Sequence, residues 1–246
     1  MNQYKTNPNN PLKIELYESE KLQDYKLKYI NNALPQPVFR WIFSAPSNSG
    51  KSTLIKNILF NKNFGYKYYF DEIYAFIGSL DDVLELDNLV KSNDLENKIC
   101  ISNVFDEYKL NELYNNLEKD NSKRKSKIRS LFIFDDMITN NICNRTKMNI
   151  IDKIFIQGRH IQASVIITTQ KYKALNNNIR QLNATHLTVF SGTQQTDLEQ
   201  ISEEHSNTKS KEQLQEIFKN NLDRKFNFIT IDNKNFNVRN QNFEVI

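Results

Sequence analysis

The stretch Ala45-Pro-Ser-Asn-Ser-Gly-Lys-Ser-Thr53 joins two segments of different periodicity, and it decides the fold. Before it, residues 37–44 (PVFRWIFS) form a short apolar run that is typical of a buried strand. After it, residues 51–60 place apolar side chains at helical spacing. Strand, tight loop and helix in this order are the context of a phosphate-binding loop, in which small residues and a helix N-terminus receive the anion.

We predict that the whole loop contacts a nucleotide, namely Ala45, Pro46, Ser47, Asn48, Ser49, Gly50, Lys51, Ser52 and Thr53. Ala45 replaces the usual first glycine, and it is also small. Lys51 would reach the β- and γ-phosphates, Ser52 would offer its hydroxyl to Mg²⁺, and Thr53 would lie near the α-phosphate. The alternative is a chance Gly-Lys-Ser turn at the start of an ordinary helix, and the agreement of loop and flanking segments argues against it.

A second buried strand, residues 130–134, ends in the carboxylates Asp135 and Asp136. Open α/β sheets bind ligands at the carboxyl ends of their strands, so both side chains are expected beside the phosphate loop. Asp135 would hold Mg²⁺, and Asp136 would orient or deprotonate the attacking water. The alternative, that the two carboxylates only cap the next helix, weakens once the phosphate loop is considered with them.

A third apolar strand, residues 163–169, is followed by Gln170, which could contact the γ-phosphate or the lytic water. Further strands are predicted at 67–77, 98–104 and 186–190, helices at 105–117, 194–204 and 209–220, and a terminal β pair at 225–231 and 235–239. Strands that alternate with helices indicate an α/β fold with a mainly parallel sheet flanked by helices. No run approaches the roughly 18 apolar residues of a membrane span.

The chain has 246 residues and a formal net charge of +4, which is too small to require an anionic partner by itself. Its two cysteines exclude a disulfide framework and favour a reducing compartment. One basic run stands out: Lys123, Arg124, Lys125, Lys127 and Arg129. Such a run is either a solvated loop or a surface that contacts the phosphates of DNA.

Four segments together resemble the FtsK/HerA superfamily of P-loop ATPases, most closely the genome-packaging ATPases of large DNA viruses and virophages: SAPSNSGKST, LFIFDDM, FIQGRHIQASVIITTQ and NNIRQLNATHLTVF. The resemblance covers residues 38–190. It implies a RecA-like core, ATP and Mg²⁺ as cofactors, and a homo-oligomeric ring that moves double-stranded DNA. Where that family often has glutamate after the Mg²⁺ aspartate, this chain has Asp136.

The resemblance also assigns a sensor role to Gln170 and suggests that Arg180, or else Arg159, reaches into a neighbouring subunit's site. The expected organisation is an N-terminal extension, residues 1–36, and an ATPase domain, residues 37–246, whose C-terminal helices and β pair occupy 194–246. The expected partner is a capsid or vertex protein, and the expected location is the host cytoplasm or viral factory, with association to the virion. Two other functions stay open: a nucleotide or small-molecule kinase, and an assembly protein that binds ATP without motor activity.

Overall fold

The computed structural model describes residues 30–124, 127–136 and 149–246. Within these ranges one sheet runs through the molecule, and its eight strands are β1 (Arg40–Ser44), β2 (Glu72–Ile77), β3 (Ile99–Ser102), β4 (Ser130–Asp135), β5 (Ala163–Thr169), β6 (His186–Phe190), β7 (Phe228–Asp232) and β8 (Asn237–Arg239). Their order across the sheet is β3-β2-β4-β5-β1-β6-β7-β8. The first six strands are parallel, and β7 and β8 are antiparallel additions beside β6. This confirms the α/β prediction with a mainly parallel sheet.

Helices cover both faces of the sheet, and within the described ranges they are α1 (Lys51–Phe60), α2 (Tyr66–Tyr69), α3 (Leu80–Ser92), α4 (Glu107–Lys123), α5 (Ile150–Gln157), α6 (Gln195–Glu204) and α7 (Lys211–Asn221). Every residue of β4 and β5 is buried. That burial explains why these two strands read as continuous apolar runs, because a central parallel strand is covered on both faces. One core cluster lies on the face of α1 and α3, and the other lies on the face of α4 to α7.

The strand order brings the predicted motifs together. β5 lies between β1 and β4 and pairs with both in parallel, so the residues that follow these three strands meet at one edge. We call this the carboxyl edge of the sheet, and the opposite edge, where the parallel strands begin, the amino edge. The phosphate-binding loop follows β1, Asp136 follows β4, and Gln170 follows β5. All three predicted motifs therefore lie at the carboxyl edge.

Predicted and observed elements differ in several places, and the strand predicted at 225–231 begins only at Phe228. The strand predicted at 67–77 begins only at Glu72, because Tyr66–Tyr69 form the short helix α2 after Gly65, whose φ is 83°. The helix predicted to end at residue 117 continues to Lys123, into the basic run. No element was predicted for residues 80–92, which form α3, and the side chain of Ser79 caps the first turn of this helix.

The residues just before β1 also pack on this domain. Ile30 and Leu34 are buried in the core cluster that contains α1. The division between an extension and an ATPase domain at residues 36 and 37 stays a prediction, and residues 1–29 of that extension lie outside the described part of the chain.

Candidate active site

The loop between β1 and α1 contains two residues with left-handed backbone angles, Asn48 (φ 57°) and Gly50 (φ 103°). A Cβ on Gly50 would meet its nearest neighbour at 3.6 Å, which is an ordinary contact. Glycine is therefore favoured here by the backbone angle and not by lack of space. Gly50 stands directly before α1, and no side chain caps the N-terminus of this helix. The first N–H groups of α1 are thus available to an anion in the loop.

Lys51 is buried beneath the loop, with 5% of its surface exposed. Its Nζ donates hydrogen bonds to the backbone carbonyls of Ala45 (3.2 Å) and Pro46 (3.1 Å). The same nitrogen lies 3.8 Å from Oδ2 of Asp136. Lys51 thus places a positive charge between the phosphate loop and the end of β4, where it can neutralise phosphate groups.

The two adjacent aspartates differ in exposure and share one partner. Asp135 is 4% exposed, whereas the side chain of Asp136 is 39% exposed. The Thr168 hydroxyl donates to Oδ1 of Asp135 (2.6 Å) and accepts from the backbone N–H of Asp136 (2.9 Å). Thr168 on β5 therefore fixes the end of β4 in position. The sequence predicted Thr168 at this edge of the sheet, at the end of the third apolar strand, but no role was predicted for it.

The backbone of Asp136 is left-handed, with φ of 50°. Aspartate and asparagine adopt this conformation more readily than residues with longer side chains. The backbone angle thus gives a physical reason for aspartate at this position, where the FtsK/HerA superfamily, which the sequence resembles, often has glutamate. It also turns the Asp136 carboxylate into the open cavity while that of Asp135 stays buried.

Burial raises the pKa of Asp135 to about 6, and the like charges of Asp136 and Asp82 act in the same direction. The hydrogen bond from Thr168 and the charge of Lys51 oppose this rise. A carboxylate in such surroundings gains from a nearby cation, because the cation favours its ionised form.

The residues predicted to hold Mg²⁺, Ser52 and Asp135, offer a hydroxyl and a carboxylate, which are the oxygen donors this ion prefers. Among the residues that the structure describes, no group of three His, Cys, Asp or Glu could hold a metal ion alone. Proteins commonly hold Mg²⁺ through one or two side chains together with substrate phosphates, and Ser52 and Asp135 would supply two such oxygen donors. The donor set therefore fits an ion that arrives with a nucleotide.

An open cavity of about 600 Å³ lies over the phosphate loop. Its lining consists of Ser47, Asn48, Ser49, Gly50, Lys51, Ser52, Thr53, Asp82, Asp136, Lys225 and Phe226. The structure thus brings most of the predicted loop together with Asp136 around one cavity. Gln170 is exposed directly after β5 at the same edge. Asp82, Lys225 and Phe226 were missed by sequence reasoning; the helix cap at Ser79 was a usable signal for Asp82, and the other two had no local signal.

The two candidate arginines lie at the amino edge, away from the phosphate loop of their own chain. Arg159 is exposed in the 3-10 turn Gly158–Ile161, just before β5. Arg180, in the π-helical turn before β6, forms a buried ion pair with Glu204 at 2.8 Å. Its guanidinium lies 5.5 Å from the ring centre of Tyr172, whose hydroxyl donates to Glu204 (2.8 Å). Arg180 is therefore held within its own chain, and Arg159 faces solvent.

Most of the predicted basic run lies at the amino edge, and part of it has acidic partners. Arg129 donates to both carboxylate oxygens of Asp71, at 3.0 and 2.8 Å, and Arg124 lies 3.7 Å from Asp120. Lys123 and Lys127 are exposed, and Lys125 lies outside the described residues. Exposed ion pairs of this kind are weak, so Arg124 and Arg129 could leave their aspartates for another anion.

A second basic group shares this edge: Arg40, Arg159 and Lys234. Arg40 opens β1, and its carbonyl accepts from the N–H of Thr185. Burial and the charge of Arg159 lower the pKa of Arg40, and burial and the charge of Arg40 lower the pKa of Lys234. Arg40 is thus close enough to both Arg159 and Lys234 to interact with their charges, so positive charge is concentrated around the start of β1.

Several solved structures share this fold. The DNA-packaging ATPase B204 of Sulfolobus turreted icosahedral virus is 18% identical, with a TM-score of 0.58 over 83% of this chain and 97% of that one. The genome-packaging NTPase B204 of Sulfolobus turreted icosahedral virus 2, in complex with AMPPCP, is 18% identical, with a TM-score of 0.57 over 84% and 98%. Its complex with ATP-gammaS gives 16% identity and a TM-score of 0.58 over the same shares. At such identities the likeness concerns the fold.

Within the described ranges, no helix combines the length and apolar character needed to cross a bilayer. No curated protein sequence gives a significant match to this chain. The family model described as Poxvirus A32 protein matches residues 26–243. Since this match includes the phosphate loop, both aspartates and the whole sheet, the chain belongs to the Poxvirus A32 protein family.

Proposed function

We propose that this protein is an ATP-hydrolysing motor that moves double-stranded DNA into a viral capsid. The observation that carries the proposal is that Lys51 and Asp136 line one open cavity at the carboxyl edge, with the buried Asp135 directly beside Asp136 in the chain. Family membership supports it, and so do the packaging ATPases that share the fold. Structures of such a relative with AMPPCP and ATP-gammaS support ATP as the substrate.

The residues divide the chemistry among themselves. The N–H groups from Gly50 to Thr53 and the amine of Lys51 hold the phosphates and stabilise the charge that develops on them. Ser52 and Asp135 would hold Mg²⁺, which neutralises charge on the phosphate oxygens. Asp136 would orient and deprotonate the attacking water, and Gln170 would contact the γ-phosphate or that water.

Hydrolysis fits this site better than phosphoryl transfer to an acceptor. A carboxylate that can take a proton from water suits hydrolysis, and the side chain of Asp136 is 39% exposed at the edge of the cavity. The test is the rate of phosphate release from ATP with and without linear duplex DNA, together with the molar mass in solution. A motor hydrolyses ATP faster when DNA is present. Binding without turnover would indicate the assembly protein, and transfer of phosphate to a nucleotide would indicate the kinase.

We further propose that the active unit is a homo-oligomeric ring, with a capsid or vertex protein as the receiving partner, in the host cytoplasm or viral factory or associated with the virion. A ring accounts for arginines at the amino edge, because neither Arg159 nor Arg180 lies beside the phosphate loop of its own chain. The exposed Arg159 can reach a neighbouring subunit directly. Arg180 would first have to leave Glu204, which is 3% exposed.

The role in trans is tested by mixing variants. Arg159→Ala is expected to bind ATP normally and hydrolyse it poorly, because the charge that another subunit lends to the transition state is lost. Mixing it with Asp136→Asn should restore activity at interfaces that combine an intact Asp136 with an intact Arg159. Hydrolysis is measured across mixing ratios at constant total protein. If the activity of every mixture equals the weighted mean of the two variants measured alone, Arg159 does not act in the site of a neighbouring subunit.

Arg180→Ala serves as the comparison in this experiment. It removes the partner of a buried carboxylate, so it is expected to lower the melting temperature, whereas Arg159→Ala should leave that temperature unchanged. If Arg180→Ala is stable and regains activity when it is mixed with Asp136→Asn, then Arg180, and not Arg159, acts in the neighbouring subunit's site.

The amino edge is also the proposed DNA surface, through Lys123, Arg124, Lys125, Lys127 and Arg129. Each phosphate neutralised adds about 0.9 to the slope of log affinity against log salt. Replacing Lys123, Arg124 and Lys125 with serine is therefore expected to flatten the slope by up to about three units, with little dependence on base sequence. Affinity for duplex DNA is measured by fluorescence anisotropy between low and moderate salt.

The matched control is Lys109→Ser, at the other end of α4, where the side chain is 81% exposed. Its slope should equal that of the wild type. If the triple variant also keeps the wild-type slope, the run is a solvated loop, and the group of Arg40, Arg159 and Lys234 becomes the next DNA surface to test.

A further inference from the structure

Two residues that border the phosphate cavity have no part in the proposed hydrolysis: Lys225 and Phe226, in the loop between α7 and β7. Phe226 is 56% exposed, and its Cδ1 lies 3.6 Å from the position that a Cβ on Gly50 would take. The Nζ of Lys225 lies 4.8 Å from the centre of the Phe226 ring. An aromatic face and a cation thus stand together beside the phosphate-binding loop.

The loop that carries Phe226 is fixed to the sheet. The carbonyl of Asn227 accepts from the N–H of Ser191, just after β6, at 2.8 Å, and the N–H of Asn227 donates to the carbonyl of Arg224 at 3.1 Å. Phe226 itself has a left-handed backbone, with φ of 71°, which is uncommon for an aromatic residue. The ring is therefore held at the cavity by its backbone and not by burial.

Neighbouring aromatics show what is particular about this position. Phe190 also lies near Gly50, with an atom 3.8 Å from the same Cβ position, but it is buried and packs on Phe228. Phe236 is as exposed as Phe226, at 60%, and also has a positive φ, of 52°, but it lies in the turn between β7 and β8 at the amino edge. Phe226 alone among these aromatics is both exposed and part of the cavity lining.

We propose that Phe226 is the platform on which the base of the bound nucleotide stacks, with Lys225 beside the phosphate and ribose oxygens. The proposal rests on the proposed function, in which residues Gly50 to Thr53 hold the phosphates and so bring the base close to this ring. Stacking on an aromatic uses the π-face that every base has, and it reads no base edge. The platform therefore accepts ATP and GTP with similar affinity.

The first test is the fluorescence of the Phe226→Trp variant. The chain has a single tryptophan, Trp41, which is fully buried and gives a constant background. ATP and GTP, each added with Mg²⁺, are expected to quench the new indole, because a base stacks on it. Tripolyphosphate, which has no base, should bind without quenching. Phe236→Trp is the matched control, and its emission should not respond to any of the three.

The second test separates stacking from apolar contact. Phe226→Leu keeps an apolar side chain and loses the flat ring, so it should weaken ATP binding about tenfold, as Phe226→Ala should. Phe226→Tyr keeps the ring and should bind as the wild type does. Calorimetric affinity for tripolyphosphate should be the same in all four proteins, because the phosphate loop is unchanged.

The outcomes distinguish this proposal from the function on which it rests. If calorimetry shows that ATP binds but the indole at position 226 does not respond, the platform is wrong and the hydrolase stands. Equal quenching by ATP and tripolyphosphate, or wild-type affinity in Phe226→Leu, would also overturn the platform. If the wild-type chain binds no nucleotide, both proposals fail together.

Discussion

Lys51→Ala is expected to lower the rate of ATP hydrolysis by about 10²- to 10³-fold or more and to weaken ATP binding. The amine of Lys51 donates to the carbonyl of Pro46 in the phosphate loop and lies 3.8 Å from Oδ2 of Asp136. It neutralises phosphate charge in the bound ground state and in the transition state, so its loss affects both affinity and turnover. The measurements are the steady-state rate of phosphate release and the affinity for ATP by calorimetry.

The matched control is Lys56→Ala, on the same helix. Lys56 pairs with Glu85 at 2.5 Å and does not line the cavity. Its variant should keep wild-type hydrolysis. Comparable melting temperatures of the two variants would exclude a general loss of fold. Near-normal hydrolysis by Lys51→Ala would remove the phosphate-binding loop from the proposed function.

Asp136→Asn should still bind ATP with Mg²⁺, while its turnover falls by about 10²- to 10⁴-fold, the usual contribution of a positioned base. Asparagine keeps the size of the side chain and tolerates the left-handed backbone at this position, so the loop is expected to stay in place. Asp135→Asn should instead weaken the Mg²⁺-dependent part of ATP binding. Single-turnover hydrolysis and calorimetry with and without Mg²⁺ separate the two effects.

Among the described residues, one other carboxylate lines the cavity and could replace Asp136 as the base. Asp82 lines the cavity from the first turn of α3, and its neighbour Asp81 is exposed outside the lining. Asp82→Asn is therefore the informative comparison, and Asp81→Asn is its control. Normal turnover of Asp136→Asn combined with slow turnover of Asp82→Asn would assign the base to Asp82.

The central part of the fold could be predicted from sequence because local patterns determine it. β4 and β5 are covered on both faces, so their sequences are unbroken apolar runs. α1 begins at Lys51, directly after Gly50 of the phosphate loop. The segment from Tyr66 to Tyr69 misled the prediction, because aromatic residues favour strands. There, tertiary contacts override that preference: the Tyr66 hydroxyl donates to the carbonyl of Pro35 at 2.7 Å.

Some residues of the site could be predicted from local sequence motifs, and others reach the site only through the tertiary fold. The phosphate loop and the two aspartates are contiguous motifs, whereas Thr168 joins the site only because β5 lies between β1 and β4. Lys225 and Phe226 reach it from a loop that lies more than 170 residues after Gly50 in the chain. No periodicity or spacing encodes these contacts, since sheet order and loop anchoring create them. The pairing of Arg180 with Glu204 is of the same kind.

The position of Tyr172 has a mechanical consequence. Its backbone N–H donates to Asp197 in the first turn of α6, and its hydroxyl donates to Glu204 at the end of that helix, so one residue contacts both ends of the helix. Tyr172 follows Gln170 by two residues, and β5, which ends just before Gln170, is hydrogen-bonded to a strand on each side. In the proposed motor, Tyr172 would therefore couple a displacement of Gln170 at the nucleotide to the ion pair between Glu204 and Arg180.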